Sequence, residues 1–124
     1  MNVKNKKQEV FWLKAPQEHD FPAAYDYLEL LFSPEESNVF VSKLRKAVTV
    51  KKKSKDILRA SGLILLPATN RHVKENLRKI KKGEKLSPIL LVRINGKLII
   101  ADGYHRLCSS YYFTEDLEVP CRLV

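Results

Sequence analysis

The feature that most restricts how this chain can fold is the pair of apolar runs on either side of Asn95-Gly96. Pro88-Ile89-Leu90-Leu91-Val92-Arg93-Ile94 precedes it and Lys97-Leu98-Ile99-Ile100-Ala101 follows. A two-residue connection between strands favours a type I′ turn, which needs positive φ at both central positions, and Asn-Gly tolerates that best. The pattern predicts an antiparallel hairpin with fixed register. Directly after it comes Asp102-Gly103-Tyr104-His105-Arg106-Leu107-Cys108. There the strand breaks at Asp-Gly and turns at once into a helix, expected over 104–113 with Leu107, Cys108, Tyr111 and Tyr112 buried. Residues 119–124 read as a closing strand. Strands and helices of this kind in one short chain make an α+β domain.

The preceding residues supply the helices. Residues 22–32 show helical periodicity, with Ala24, Tyr27, Leu28 and Leu31 on one face, Pro22 in the first turn and Asp20 as the cap. Ser33-Pro34-Glu35-Glu36 has the form of a capping box and opens a second helix to about Arg45, buried through Val39, Phe40 and Leu44. Residues 47–52 alternate as a strand does. Ser54 is expected to cap a short helix over 55–61 that Gly62 ends. Leu63 to Leu66 form a short apolar run stopped by Pro67. Asn70 caps a helix over 71–82, buried through Val73, Leu77 and Ile80 and ended by Gly83. Residues up to Gln8 are expected to fray. The division expected is an N-terminal extension with two helices over 1–46, packed on a compact core over 47–124.

Composition narrows the classes. At 124 residues the chain is one domain's worth, and 44% hydrophobic residues is ordinary for a globular protein. No apolar run reaches the roughly 20 residues that a membrane helix needs, and the N-terminus has no apolar signal segment. Cys108 and Cys121 are no disulfide framework. These features point to a reducing cytoplasm and away from membranes. The net charge of +9 is unevenly distributed. Residues 17–36 carry six acidic side chains and no Lys or Arg, whereas 43–59 carry eight basic ones against Asp56 alone. Residues 71–85 add seven basic side chains against Glu75 and Glu84. Such clustering is relieved by a polyanion or phosphate ligand, so nucleic acid is one partner class the charge admits; a plainly solvated surface is the other reading.

The strand–Gly–helix junction is the candidate site. Amides in the first turn of a helix have no intrahelical acceptor, and the macrodipole places partial positive charge there. His105 and Arg106 beside those amides make a phosphate or anion pocket. The competing reading is a structural junction in which Arg106 pairs with Asp102. The three histidines, His19, His72 and His105, have no metal-ligand spacing, and no protein-only metal site is expected.

From about Val48 to Val124 the sequence resembles the ParB/sulfiredoxin-like superfamily. The resemblance rests on Leu65-Leu66-Pro67, a helix ending Ile80-x-x-Gly83, Pro88-Ile89, the hairpin, Ala101-Asp102-Gly103-Tyr104-His105-Arg106-Leu107 and the strand Val119-Pro120-Cys121-Arg122-Leu123-Val124. It is similar to small stand-alone bacterial ParB-like proteins. The resemblance implies a ParB/sulfiredoxin-like domain with a small mixed sheet, preceded by the helical pair. It also implies that His105 and Arg106 hold phosphates, as the matching pair does in sulfiredoxins. The sulfiredoxin thiol position is Tyr104 here, so sulfinic-acid chemistry is not expected. In partition-type ParB proteins the same turn binds CTP phosphates; the helix-turn-helix and dimerisation tail that follow there have no counterpart through Val124. Related free-serine kinases use a carboxylate base, for which Asp102 and Glu84 are the candidates.

The ligand expected is thus a nucleotide, ATP or CTP, or another phosphorylated small molecule, with Mg²⁺ as a possible companion. Gly103, Tyr104, His105 and Arg106 would hold it, with Lys79 and Lys85 flanking. Asp102, His105 and Glu84 are the candidates for phosphoryl transfer or nucleotide hydrolysis. The alternative is a non-catalytic basic DNA-binding accessory protein related to ParB.

Overall fold

The computed structural model describes residues 9–124, so the stretch expected to fray lies outside the described residues. In chain order the elements are β1 (Phe11–Trp12), α1 (Asp20–Leu28), α2 (Pro34–Lys46), β2 (Val50–Lys53), α3 (Ser54–Ser61), α4 (Arg71–Lys81), β3 (Lys85–Leu86), β4 (Ile89–Ile94), β5 (Lys97–Asp102), α5 (Tyr104–Phe113) and β6 (Glu118–Leu123). The main sheet has the order β2-β6-β4-β5. β4 and β6 run parallel, while β2–β6 and β4–β5 are antiparallel, so the sheet is mixed. β1 and β3 form a separate parallel pair. The chain is α+β, as its patterning predicts.

The uninterrupted apolar run of β4 follows from burial on both faces. Successive side chains of a strand point to opposite sides. Leu90 and Val92 enter a core with Phe21, Ala24, Leu28, Val41 and Leu44 from α1 and α2. Ile89 and Leu91 enter the opposite core with Ile57 and Leu58 from α3 and Leu107 from α5. The sheet is therefore the middle of three layers. Asn95 and Gly96 have φ of 53° and 74°, the positive pair that the two-residue turn requires.

Caps fix several helix ends. Ser33 accepts the Glu36 N–H while Glu36 accepts the Ser33 N–H, each at 3.1 Å, completing the capping box. Asn70 accepts the His72 and Val73 amides at 3.0 and 3.1 Å. Gly62 terminates α3 in the left-handed conformation. At the far end of α2, Arg122 of β6 donates to the Leu44 and Arg45 carbonyls at 3.1 and 2.9 Å, satisfying acceptors the helix itself cannot.

Other local expectations are corrected. α1 begins at Asp20 and its cap position is His19. Asp20 is not the cap, because its buried carboxylate turns back to accept the Gln17 N–H at 2.9 Å. The helix closes at Leu28, so Leu31 leaves the stripe; Leu31 and Tyr27 are exposed and Phe21 takes the core position instead. In α2 the buried face is Ser37, Val41 and Leu44, which rotates Val39 to solvent and leaves Phe40 at the margin against Phe32. β2 starts only at Val50, since Ala47 closes α2 and Arg122 binds Thr49 Oγ1. Ser54 does not cap α3 but lies inside it, its buried hydroxyl donating to the Thr114 and Glu115 carbonyls. In α5 the buried positions after Cys108 are Ser109 and Ser110, while Tyr111 is half-buried and Tyr112 exposed. The small serine lets α4 approach closely, and Ser109 Oγ donates to the Val73 carbonyl at 3.1 Å. Tyr104 and Tyr112 donate their hydroxyls to the carbonyls of Ile64 and Leu66, tethering the loop between α3 and α4.

Two substitutions separate capping from packing. Leu28→Ala, at a fully buried position, should lower unfolding free energy by about 2–5 kcal/mol. Ser33→Ala should cost only about 1 kcal/mol. Equilibrium urea denaturation checks both, and a larger loss for Ser33→Ala than for Leu28→Ala would contradict the two-core packing.

Candidate functional site

The site is built where β5 gives way to α5. Gly103 occupies the helix cap position at φ 111°, ψ 16°, a conformation natural to glycine. A Cβ there would lie 3.0 Å from Arg106 Nη2 and 3.0 Å from Ile89 Cγ1. Glycine is thus favoured by its dihedral angle, and a Cβ would need Ile89 and Arg106 to give way by a few tenths of an ångström. No side chain caps α5, in contrast to the Ser33 and Asn70 caps of α2 and α4. Its first-turn amides have no intrahelical acceptor.

Arg106 is bound from several sides. Its Nε donates to the Ser87 carbonyl at 2.9 Å, and Nη2 donates to the Pro88 carbonyl at 3.2 Å and to Asp102 Oδ2 at 3.1 Å. The network extends outward: Ser87 Oγ donates to Gln17 Oε1 at 3.0 Å, and the Gln17 N–H reaches Asp20. One planar guanidinium therefore joins the first turn of α5, the end of β5 and the segment leading into β4. The structural pairing of Arg106 with Asp102 is realised through Nη2, while Nε is engaged by the Ser87 carbonyl. Nη1 makes no hydrogen bond among the described residues and stays available to a ligand.

A cavity of about 220 Å³ opens beside this junction, lined by His72, Glu75, Asn76 and Lys79 of α4 and by Asp102, Gly103, His105 and Arg106. The α4 residues follow the spacing i, i+3, i+4, i+7 of a single helical face. The His72 and His105 rings lie 4.8 Å apart between centroids. Burial, then the neighbouring His72 and Arg106, hold the His105 pKa below the usual histidine value. Burial pushes the Asp102 carboxyl up, and the opposing pull of Arg106 does not fully cancel that cost. Glu75 is engaged by Arg78 on its own helix and held low by that contact.

The structure brings together Asp102, Gly103, His105, Arg106 and Lys79. Tyr104, Glu84 and Lys85 do not line the cavity. Tyr104 directs its hydroxyl to Ile64, Glu84 follows the end of α4 with its N–H on the Lys79 carbonyl, and Lys85 lies in β3 beside Phe11. Glu75 and Asn76 are the lining residues that sequence reasoning did not place there, although their helical spacing from His72 and Lys79 carried the signal. Both thiols are free, buried and raised by burial, Cys121 to about 11, which suits core packing and not nucleophilic chemistry. Among the described residues no group of three or more His, Cys, Asp or Glu is arranged to hold a metal ion. No described helix is long and apolar enough to cross a membrane.

Comparison with known protein families, with curated proteins and with solved structures gives no match to this chain.

Replacing Gly103 with Ala should destabilise the fold by about 2 kcal/mol or more, from left-handed backbone strain plus the contact with Ile89. Arg106→Lys should cost about 1–3 kcal/mol, because an ammonium cannot reproduce the fork that holds two backbone carbonyls and Asp102. Urea denaturation measures both; neutral outcomes would contradict the junction as described. His105 binds its proton more weakly folded than unfolded, so the unfolded state holds more protons in the window below about 6.5. Its contribution to stability is therefore present above that pH and lost as pH falls through the folded pKa. An NMR titration of the His105 ring should show a midpoint below about 6.5.

Proposed function

We propose that the cavity at the start of α5 binds a phosphate group, carried by a nucleotide or another phosphorylated small molecule. The observation that carries this reading is the convergence of uncapped helix amides, Arg106, His105, His72 and Lys79 on one small cavity. A phosphate oxygen set at the helix start accepts from the amides of the first turn and gains from the helix dipole. Arg106 Nη1 supplies charge-assisted donors, and Lys79 and the two imidazoles supply further positive charge or N–H groups. About 220 Å³ is small against the range of whole-ligand pockets, which suits the phosphates of ATP or CTP with the remainder of the nucleotide outside. The resemblance to ParB/sulfiredoxin-like proteins, in which the matching turn holds nucleotide phosphates, supports the same assignment.

If Mg²⁺ accompanies the nucleotide, Asp102 and Glu75 are the carboxylates that line the cavity, and such an ion needs only one or two of them beside phosphate oxygens. Phosphoryl transfer is the chemistry that fits, since it relies on positioning and charge stabilisation. On this reading Asp102, raised by burial, is the acid–base candidate and His105 the group that stabilises developing charge. Glu84 lies outside the cavity lining and has no part in it.

Calorimetric titration of ATP, CTP and inorganic pyrophosphate, each with and without Mg²⁺, tests the proposal. At least one should bind, and Lys79→Ala should weaken it by about 1.5–3 kcal/mol, the scale of a hydrogen bond to a charged group. Occupancy should also raise the His105 titration midpoint, because a nearby anion favours the imidazolium. Absence of binding at millimolar concentration, together with an unmoved His105, would reject the site.

A further inference from the structure

The two edges of the main sheet are built differently. β2, at one edge, presents Lys51, Lys52 and Lys53 in succession, all exposed. Charged side chains of this kind discourage another strand from adding. β5, at the other edge, reads Lys97-Leu98-Ile99-Ile100-Ala101-Asp102 and carries one cation followed by four apolar residues.

The free hydrogen-bonding groups of β5 can be assigned. In β4 the Leu91 carbonyl and the Arg93 N–H bond to Val124, on the β6 side. Bonding direction alternates along an antiparallel strand, so Val92 and Ile94 face β5, where their partners are Ile99 and Lys97. The N–H and C=O groups of Leu98 and Ile100 consequently point away from the sheet, and no described residue's backbone bonds them. They open into a groove of about 690 Å³. Tyr27, Leu31 and Phe32 form its wall on the α1 side, and Ala60 and Leu63 its wall at the end of α3. Tyr27, Leu31 and Leu63 are exposed there as large apolar surfaces.

We propose that this groove receives an extended, acid-flanked apolar segment of a partner protein, which adds to β5 as a fifth strand. The backbone of Leu98 and Ile100 supplies the pairing groups. Alternate side chains of the incoming segment pack on the α1 wall and the α3 wall, in the manner of strand addition at a sheet edge. Charge selects the partner. The charged residues lining the groove are Arg59 and Lys97, with no carboxylate among them. Arg59 touches Asp56 only through an exposed contact of 3.4 Å, a kind of pair that binds weakly and exchanges readily. A second copy of this chain is disfavoured by the mutual repulsion of two chains that each carry a net charge of +9.

The test uses the whole chain and end-blocked, dye-labelled peptides with a Val-Thr-Val-Thr-Val centre, followed by fluorescence anisotropy. The Glu-flanked peptide should bind about fivefold more tightly than the Lys-flanked one, as two exposed ion pairs would give. N-methylation of its central valine should weaken it about tenfold through lost backbone hydrogen bonds. Arg59→Glu with Lys97→Glu should invert the flank preference, and Arg59→Gln alone should narrow it. Amide resonances of Leu98 and Ile100 should shift on binding. Equal affinity for both flanks, indifference to N-methylation, no binding by either peptide, or a concentration-dependent dimer that perturbs the β5 amides would each overturn the proposal.

Discussion

The guanidinium of Arg106 is the contact on which the rest of the architecture turns. It holds the Ser87 and Pro88 carbonyls before β4 and the Asp102 carboxylate at the end of β5, while its own backbone lies in the first turn of α5. Those carbonyls sit among buried residues, and leaving them unpaired would cost the desolvation of each. The side chain is only 17% exposed, and its Nη2 lies 3.0 Å from where a Cβ at position 103 would stand. A lysine has the charge but not the fork. Gly103 and Arg106 therefore act as a unit: the first opens the space and the second fills it with directed hydrogen bonds.

On the proposed function, the same arrangement would let one turn serve structure and ligand chemistry together. Two guanidinium nitrogens, Nε and Nη2, are committed to the fold, which fixes the plane in which the third is held. A donor held in this way loses little entropy when an anion arrives, which is the advantage of preorganisation. The same burial that orders the turn lowers the pKa of His105 and raises that of Asp102, in each case by disfavouring the charged form. On the proposed function, an incoming phosphate would reverse the His105 shift and link ligand binding to protonation.

Much of the fold was legible because particular residues admit few conformations. Asn95-Gly96 specifies the hairpin, Ser33 with Glu36 a capping box, Asn70 a cap and Gly62 a stop. The start of α5 follows from Asp102-Gly103. Helix faces were less legible. Short helices packed on a sheet are oriented by the partners they meet, so Phe21 and Val41 displace Leu31 and Val39 from the core, and serines displace tyrosines in α5 where α4 comes close. Two-residue strands such as β1 and β3 carry no periodicity at all. For the candidate site, the turn itself was readable from its Gly and cations. Of α4, Lys79 was expected to flank the site; that the rest of its face lines the cavity too is set by tertiary packing, which brings that face opposite His105.

A crystal structure of the protein grown with a non-hydrolysable ATP analogue and Mg²⁺ addresses the central claim most directly. The account predicts phosphate oxygens within hydrogen-bonding reach of the first-turn amides of α5 and of Arg106 Nη1, with Lys79 turned toward them and the Arg106 contacts to Ser87, Pro88 and Asp102 intact. Phosphates bound elsewhere on the molecule, with the cavity between α4 and α5 unfilled, would contradict it.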